Sequence, residues 1–430
     1  MTRSTDPDRL NVWHGGSLVG ELWRDRQDRI GFSYSADWLA QGFGIGRVLP
    51  LRPEPFGPEE GLAHAWFANL LPEGSARERI IRNLGVADDD FVLLREIGGD
   101  CAGALSVLSI DQVVDEQAGA EALDQAGLTQ MLQQRGQGIL PGSKKDNAAR
   151  PRLSLAGAQS KCPVLIKNGD YLLPRGVTAS SHILKFELPE WRHVPVYEVF
   201  LNRLAQAVGL PVPETRLEQY RGQRYLIIRR YDREARDGES HRLHQEDFCQ
   251  IVGLRATRKY EAEGGPGLAE CAQWIRELSE RPAEDLLNLL RWQIFNWLAG
   301  NSDGHAKNLA LVHTARNRAG RRLAPFYDLV CTRAWPNLDR RLAMSVGGES
   351  DPGRISPGHW QAQAEAMGMR PRFVLQEVAN MVEALQHALP KARADLEQAH
   401  GPLPMLQQPE KIIHTQLRMA GYRFARADKP

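Results

Sequence analysis

The five cysteines, Cys101, Cys162, Cys249, Cys271 and Cys331, are odd in number, scattered, and nowhere at C-x-x-C spacing. That excludes a disulfide framework and a cysteine zinc site, and reads as reduced thiols of a cytosolic protein. The twelve histidines contain no H-x-x-x-H pair, so the helical zinc motif is absent too. No apolar run reaches the length of about 18 residues that a spanning helix needs, and the polar start Met1–Pro7 lacks a signal-peptide core; no membrane role is expected. Neither sign of charge is in excess. Lys plus Arg number 54 against 53 for Asp plus Glu, a net charge of +1, which leaves nucleic-acid binding to local patches. What remains is a chain of 430 residues, 42% hydrophobic and 25% charged. That is enough for two to four packed units of a globular protein.

The pattern along the chain predicts an α+β protein. Residues 1–110 form a first unit. Leu10-Asn-Val-Trp-His and Ser17-Leu-Val-Gly-Glu-Leu-Trp flank Gly15-Gly16 as a hairpin. Helical periodicity runs from Leu62 to Leu84, broken at Pro72-Glu-Gly, with Ser75 as the N-cap of the second piece. A helix over Phe91–Ile97 and a strand after Gly98–Gly103 complete the unit. It carries no catalytic constellation, and a packing or partner-binding role is expected. Residues 111–150 are a Gln-, Gly- and Asp-rich connector with a short helix near Gly127–Gln133. A small strand-rich lobe over 151–231 and a mostly helical lobe over 232–430 follow.

Candidate chemistry begins at Arg152-Leu-Ser-Leu-Ala156-Gly157-Ala158-Gln159-Ser160-Lys161. A turn of small residues between strands lets backbone N–H groups approach phosphate oxygens. It matches neither standard glycine-rich phosphate loop, and taken alone it reads more readily as an ordinary hairpin turn. Lys185 is a single lysine in the apolar strand Ser181–Phe186. Burying it requires a negative partner, either a nucleotide phosphate or Glu198 on the helix Pro195–Val208; the plain alternative is an edge-strand lysine with its head in water. The strand Arg224–Arg229 runs into Arg230-Tyr231, where backbone groups of Arg229 and Tyr231 are placed to bond an adenine edge. Residues Glu234–Ser240 read as an exposed loop. Helices are expected to open at Glu246, Leu268 and Glu284, and later over Pro371–Leu389 and Ala392–His400. The last thirty residues carry Lys411, Arg418, Arg423, Arg426 and Lys429, either a solvated basic face or a contact for nucleic acid or an acidic partner.

The helix Glu284–Leu298 leads to Asp303-Gly-His-Ala-Lys-Asn308, then to two short strands and Pro325-Phe-Tyr-Asp328. An Asp, an Asn five positions on, and a second Asp after a hairpin are what phosphoryl transfer needs. The first Asp accepts the proton of the attacking hydroxyl, while the Asn and the second Asp hold magnesium against the phosphates.

These motifs, with Leu71-Pro-Glu-Gly, Gly99-Asp-Cys-Ala-Gly-Ala-Leu, Gln245-Glu-Asp-Phe-Cys-Gln and Lys259-Tyr-Glu…Gly264-Gly-Pro-Gly, make the chain resemble the HipA family. Those are serine/threonine-protein kinase toxins of bacterial toxin–antitoxin systems. The resemblance runs over nearly the whole chain. It implies a two-lobed fold related to protein and phosphoinositide kinases, with an extra N-terminal α/β unit and a mostly helical C-terminal lobe. By position it implies Asp303 as proton acceptor and Asn308 and Asp328 as Mg2+ ligands. It implies ATP contacts from Ala156, Gly157, Ala158, Gln159, Ser160, Lys161, Lys185, Arg229, Arg230, Tyr231, His305, Ala306, Lys307, Asn308, Tyr327 and Asp328. Ser154 matches the serine whose autophosphorylation switches the kinase off. The implied partners are a HipB-like helix-turn-helix antitoxin, operator DNA through that antitoxin, and a protein substrate of the aminoacyl-tRNA synthetase class (glutamyl-tRNA synthetase in the best-known relative), whose loss halts translation. The sequence departs from the family at Ser160, where an acid is common, and at Arg229, where Glu is usual. Leu329-Val330 also follows Asp328 without a D-F-G glycine. Two rivals stay open: a weakly catalytic co-repressor, and a small-molecule kinase on a similar frame.

Overall fold

The computed structural model describes residues 8–112, 119–133, 161–175, 178–187, 190–236, 239–314 and 320–427. The turn over 152–160, with Ser154 and Ala156 to Ser160, lies outside them. Two units emerge: residues 1–188, 218–256 and 312–320, and residues 189–217, 257–311 and 321–430.

The first unit opens with β1 (Arg9–His14), β2 (Ser17–Arg24) and β3 (Ile30–Tyr34). Helices α1 (Ala36–Gln41), α2 (Leu62–Ala68), α3 (Gly74–Leu84) and α4 (Asp90–Ile97) follow, then β4 (Leu105–Ser109). The hairpin at Gly15-Gly16 pairs β1 with β2, and β4 returns beside β1, giving the order β3-β2-β1-β4. Alternate residues Leu10, Val12, Leu22 and Phe32 point into one core with Trp66 and Phe67 of α2, the period-two burial of a one-faced sheet. Ser75 does not cap α3. The helix begins one residue earlier, at Gly74 with φ +50, and its N-cap is Glu73. The bend needs a left-handed residue, and glycine supplies it before Ser75 is reached.

A second sheet in this unit holds β5 (Ala120–Ala122), β6 (Lys161–Lys167), β7 (Asp170–Pro174), β8 (His182–Phe186), β9 (Thr215–Tyr220) and β10 (Gln223–Arg229), in the order β5-β7-β6-β8-β10-β9. Helix α5 (Gln125–Gln133) lays Leu128, Met131 and Leu132 over Val164, Leu184, Phe186 and Ile227. The segment expected as an exposed loop is instead a ribbon, β11 (Arg233–Arg236) paired with β12 (Glu239–Arg242). At one end of it Arg233 stands opposite Arg242, and both reach the buried Asp100. The helix expected from Glu246 starts two residues later. Gln245–Asp247 is strand β13, and α7 (Phe248–Val252) is capped reciprocally by Asp247 and Gln250, each backbone N–H donating to the other's side chain. That capping box fixes the start.

The second unit is helical. It contains α6 (Val194–Ala207), α8 (Leu268–Leu278), α9 (Pro282–Ala299), α10 (Pro357–Ala366), α11 (Pro371–His400) and α12 (Gln407–Ala427). Strand β14 (Ala310–His313), along which the chain passes to the first unit, and β15 (Arg321–Leu323) lie between α9 and α10. Helix α9 starts with Pro282 at its first position and stops at left-handed Gly300, the usual asymmetry of helix ends. Trp292, Ile294, Phe295, Trp297 and Leu298 are fully buried, which makes α9 the centre of this core. The two helices expected over 371–400 are one. Pro390 removes one backbone bond, but Leu385, Leu389, Ala392 and Leu396 continue a single buried face across it. That burial offsets the cost of about 3 kcal/mol for an interior proline.

Candidate active site

In the second unit, α9 delivers the chain to Asp303. Gly304 lies close against α9. A Cβ would stand 2.6 Å from the Asn296 amide and 3.2 Å from the Trp292 ring, so the loop lies directly on α9. Asn301 receives the Asp303 N–H at 3.1 Å, and its own amide donates to Asn296 Oδ1 at 3.0 Å. Ser302 N–H donates to Thr332 Oγ1 at 2.8 Å. The Asp303 side chain is half exposed.

The loop closes on itself. Asn308 Nδ2 donates to the Asp303 carbonyl at 2.8 Å. With the amide nitrogen on backbone, the Asn308 oxygen is the atom that could hold a cation. His305 Nε2 lies 3.9 Å from Asp303 Oδ1, and Tyr260 packs edge-on to the His305 ring with its hydroxyl donating to Asp303 Oδ1 at 2.7 Å. Ala306, Lys307 and Asn308 are buried.

Asp328 is set from two sides. Buried Asp285 accepts from the Arg322 guanidinium, from Leu323 N–H at 2.9 Å and from Ser279 Oγ, fixing β15. Phe326 N–H donates to Pro211 O at 2.8 Å, and the Phe326 ring stacks on Trp292. Tyr327 OH donates to Lys307 O at 2.7 Å, tying the second motif to the first. Asp328 itself has φ +56. For a residue other than glycine that is a left-handed backbone held by its surroundings, and Asp tolerates it better than most. Asn308 and Asp328 both offer oxygen, the donor type magnesium takes alongside substrate phosphates. Among the described residues no set of three or more His, Cys, Asp or Glu forms a metal cluster.

In the first unit, Lys161 on β6 stands directly opposite Lys185 on β8. Lys185 is only 3% exposed. Two lysines at one cross-strand pair concentrate positive charge at this register. On β10, Leu226 is the partner of Lys185, and Arg229 ends the strand opposite His182. Arg230 turns inward instead. Its guanidinium bonds Asp232, Ser180 Oγ and Cys101 O, and its N–H donates to Ser181 O. Glu198 is buried on α6, within the second unit.

The sequence reading missed the cluster around Arg230. Asp100 meets Arg230 at 3.4 Å, Arg233 at 2.8 Å and Arg242 at 3.0 Å, all of them buried. Asp232 meets Arg230 and Arg233 at 2.7 and 2.9 Å and accepts from Gly103 N–H at 2.7 Å. Burial alone would raise Asp232, but Arg230 and Arg233 override it and hold its carboxyl down to about 2. Burial, with the Arg230 charge beside it, pulls Arg233 down to about 10. The cluster joins the N-terminal sheet's Gly99–Gly103 turn to the β10–β12 segment. The Gly99-Asp-Cys-Ala-Gly run was its one visible sign. Tyr260 was likewise quoted only as part of a motif.

Each unit thus carries residues that the sequence analysis expected to serve phosphoryl transfer, the Asp303–Asn308 loop and Asp328 in the second and the two lysines in the first. The sequence profile of the HipA N-terminal domain matches residues 10–108, and that of the HipA-like C-terminal domain matches 153–389. The chain belongs to the HipA family, and it is an enzyme, a serine/threonine-protein kinase by class. The putative kinase Y4mE of Sinorhizobium fredii is 37% identical over 397 residues, 90% of this chain and 92% of that protein. The serine/threonine-protein kinase toxin HipA of Shewanella oneidensis is 27% identical over 401 residues, 88% of each. The structure is similar to that of Shewanella oneidensis HipA solved with HipB and its operator DNA, with a TM-score of 0.80, 24% identity and 97% of both chains covered. The fold is therefore the kinase-like one of HipA, with its additional N-terminal α/β unit. No described helix is long and apolar enough to cross a membrane.

Proposed function

We propose that this chain is an ATP- and magnesium-dependent serine/threonine protein kinase acting as the toxin of a toxin–antitoxin module. The observation that carries the reading is the Asp303–Asn308 loop, closed by the Asn308 amide on the Asp303 carbonyl at 2.8 Å with a half-exposed Asp303 carboxylate. Asp303 orients the acceptor hydroxyl and takes its proton. Asn308 and Asp328 hold magnesium. When bound, the ion would screen the phosphate charge and orient the group to be transferred. Lys161 and Lys185 take phosphate oxygens, with Ala156 to Ser160 supplying backbone N–H groups. Backbone groups of Arg229 and Tyr231 face the adenine edge. The ion pair of Lys185 with Glu198 and the contacts of His305, Ala306, Lys307 and Tyr327 with ATP belong to the same proposal. So does the division into an N-terminal unit (1–110), a connector (111–150), a small lobe (151–231) and a large lobe (232–430). Arg230 acts through its fold contacts, since its side chain is spent on Asp100, Ser180 and Asp232.

The protein substrate is of the aminoacyl-tRNA synthetase class, so that transfer arrests translation in the cytoplasm and promotes dormancy. Ser154 is the self-inactivation site. A phosphate of about −1.5 to −2 charge there cannot share space with those of ATP. A HipB-like helix-turn-helix antitoxin and, through it, operator DNA are the partners. The likeness to HipA in its complex with HipB and DNA supports this.

The test is the intact mass of dephosphorylated protein after incubation with Mg-ATP, beside an Asp303→Asn control. A gain of one phosphate, mapped to Ser154 and absent from the control, is expected. An unchanged mass in both would count against self-inactivation and favour the co-repressor and small-molecule-kinase readings.

A further inference from the structure

The run Lys259-Tyr-Glu…Gly264-Gly-Pro-Gly has no part in the assignment above, yet the second unit builds it with care. Gly265 N–H and Glu263 N–H both donate to the Tyr260 carbonyl, at 2.9 and 3.0 Å. Glu261 N–H donates to Ala343 O, while the Glu261 carboxylate accepts from Ser345 N–H and Oγ–H. Ala306 N–H donates to Lys259 O across to the Asp303 loop. The product of all this is one contact, the Tyr260 hydroxyl on Asp303 Oδ1 at 2.7 Å, with the Tyr260 ring edge-on to His305 at 5.1 Å between centroids.

We propose that Tyr260 is a positioning residue for phosphoryl transfer, its hydroxyl fixing the Asp303 carboxylate so that the other oxygen, Oδ2, meets the acceptor. This rests on the reading of Asp303 as proton acceptor. A carboxylate on a half-exposed loop turns about its own χ angles, and each misaligned rotamer wastes encounters with the acceptor. A charge-assisted hydrogen bond from a tyrosine anchored by its own loop removes that freedom. In the step itself, the acceptor oxygen forms a bond to the γ-phosphorus and the bond from that phosphorus to the β,γ-bridging oxygen breaks. ADP leaves with the electron pair, and the acceptor proton passes to Oδ2. The Tyr260 proton stays where it is throughout.

The experiment follows Mg-ATP turnover by the full chain, as ADP formed and phosphate incorporated, for Tyr260→Phe, Tyr260→Ala and Asp303→Asn. Tyr260→Phe keeps the ring against His305 and loses only the hydroxyl. Both tyrosine variants are expected to lose kcat by about tenfold to a hundredfold, the range for one hydrogen bond to a charged group. KM for ATP and the melting temperature of Tyr260→Phe are expected to stay unchanged. A Phe variant with the unsubstituted rate, Ala alone being slow, would assign Tyr260 to packing and overturn the proposal. A Phe variant faster than the unsubstituted protein would make the hydroxyl a plug in the acceptor's place, and overturns it equally. Should Asp303→Asn turn over as fast as the unsubstituted chain, the site reading itself fails and the role of Tyr260 with it. A slow Asp303→Asn beside a normal Tyr260→Phe removes this inference alone.

Discussion

Replacing Asp100 by Asn tests whether the buried arginine cluster carries the stability of the first unit. The five groups Asp100, Asp232, Arg230, Arg233 and Arg242 carry two negative and three positive formal charges, a local balance of +1. Asp100→Asn keeps the volume and raises that balance to +2 at a place where side chains are 1–8% exposed. Removing one partner of a buried pair costs about 3–5 kcal/mol, because the remaining charge stays desolvated. The exposed pair Arg9–Glu21, with side chains 45% and 40% exposed, supplies the contrast. Glu21→Gln is expected to cost about 0–1 kcal/mol. With a urea dependence of about 3 kcal/mol per molar, the Asp100 change moves the unfolding midpoint by about 1–1.7 M and the Glu21 change by about 0.3 M or less. Far-UV circular dichroism in urea gives the midpoints. Amide exchange by mass spectrometry over β10–β12 locates the loss. An Asp100→Asn protein with the unsubstituted midpoint, or one loosened anywhere but at β10–β12 and the Gly99–Gly103 turn, would refute the reasoning.

Three other expectations follow from the same structure. Asp232, whose carboxyl ordinarily titrates near 3.8 and here is held to about 2, contributes about 2 kcal/mol that is present above about pH 5 and lost as pH falls from about 4 to 2; acid unfolding followed by tryptophan fluorescence should lose this dependence in Asp232→Asn. At Asp328, φ +56 separates backbone from chemistry. Asp328→Asn, which tolerates that conformation, is expected to keep its melting temperature while losing ATP turnover, whereas Asp328→Val should also lose about 1–3 kcal/mol of stability in urea. Pro390→Ala restores a backbone N–H inside α11 and should raise the urea midpoint, by up to the equivalent of about 3 kcal/mol. A lowered midpoint would mean that the Pro390 ring is itself needed for packing.

Secondary structure was legible wherever one local rule decided it. The Gly15-Gly16 hairpin, the body of α9 over Glu284–Leu298, and β10 read correctly because alternation and periodicity were clear there. The misreadings have tertiary causes. Glu234–Ser240 looked like an exposed loop because a charged, glycine-containing run does not reveal the strand pairing of β11 with β12. Pro390 looked like a break because the pattern of apolar residues is scored locally, while the face from Leu385 to Leu396 is buried as one. Helix α7 began late because Asp247 and Gln250 cap each other. In the C-terminal region Arg423 donates to the Ile355 and Gly353 carbonyls, so that part of the expected basic face is an inward tie.

The sequence by itself determined the family and the order of the phosphotransfer motifs, because Asp303, Asn308 and Asp328 stand at spacings that the chemistry constrains along the chain. Tertiary structure decided what holds those groups. Lys161 faces Lys185 through the register of β6 and β8, the Asn308 amide is turned by the Asp303 carbonyl, and Tyr260 reaches Asp303 across 43 residues. Asp100 meets arginines more than a hundred positions away. Such contacts depend on which surfaces the folded chain brings together, and a one-dimensional pattern does not encode distance between residues so far apart.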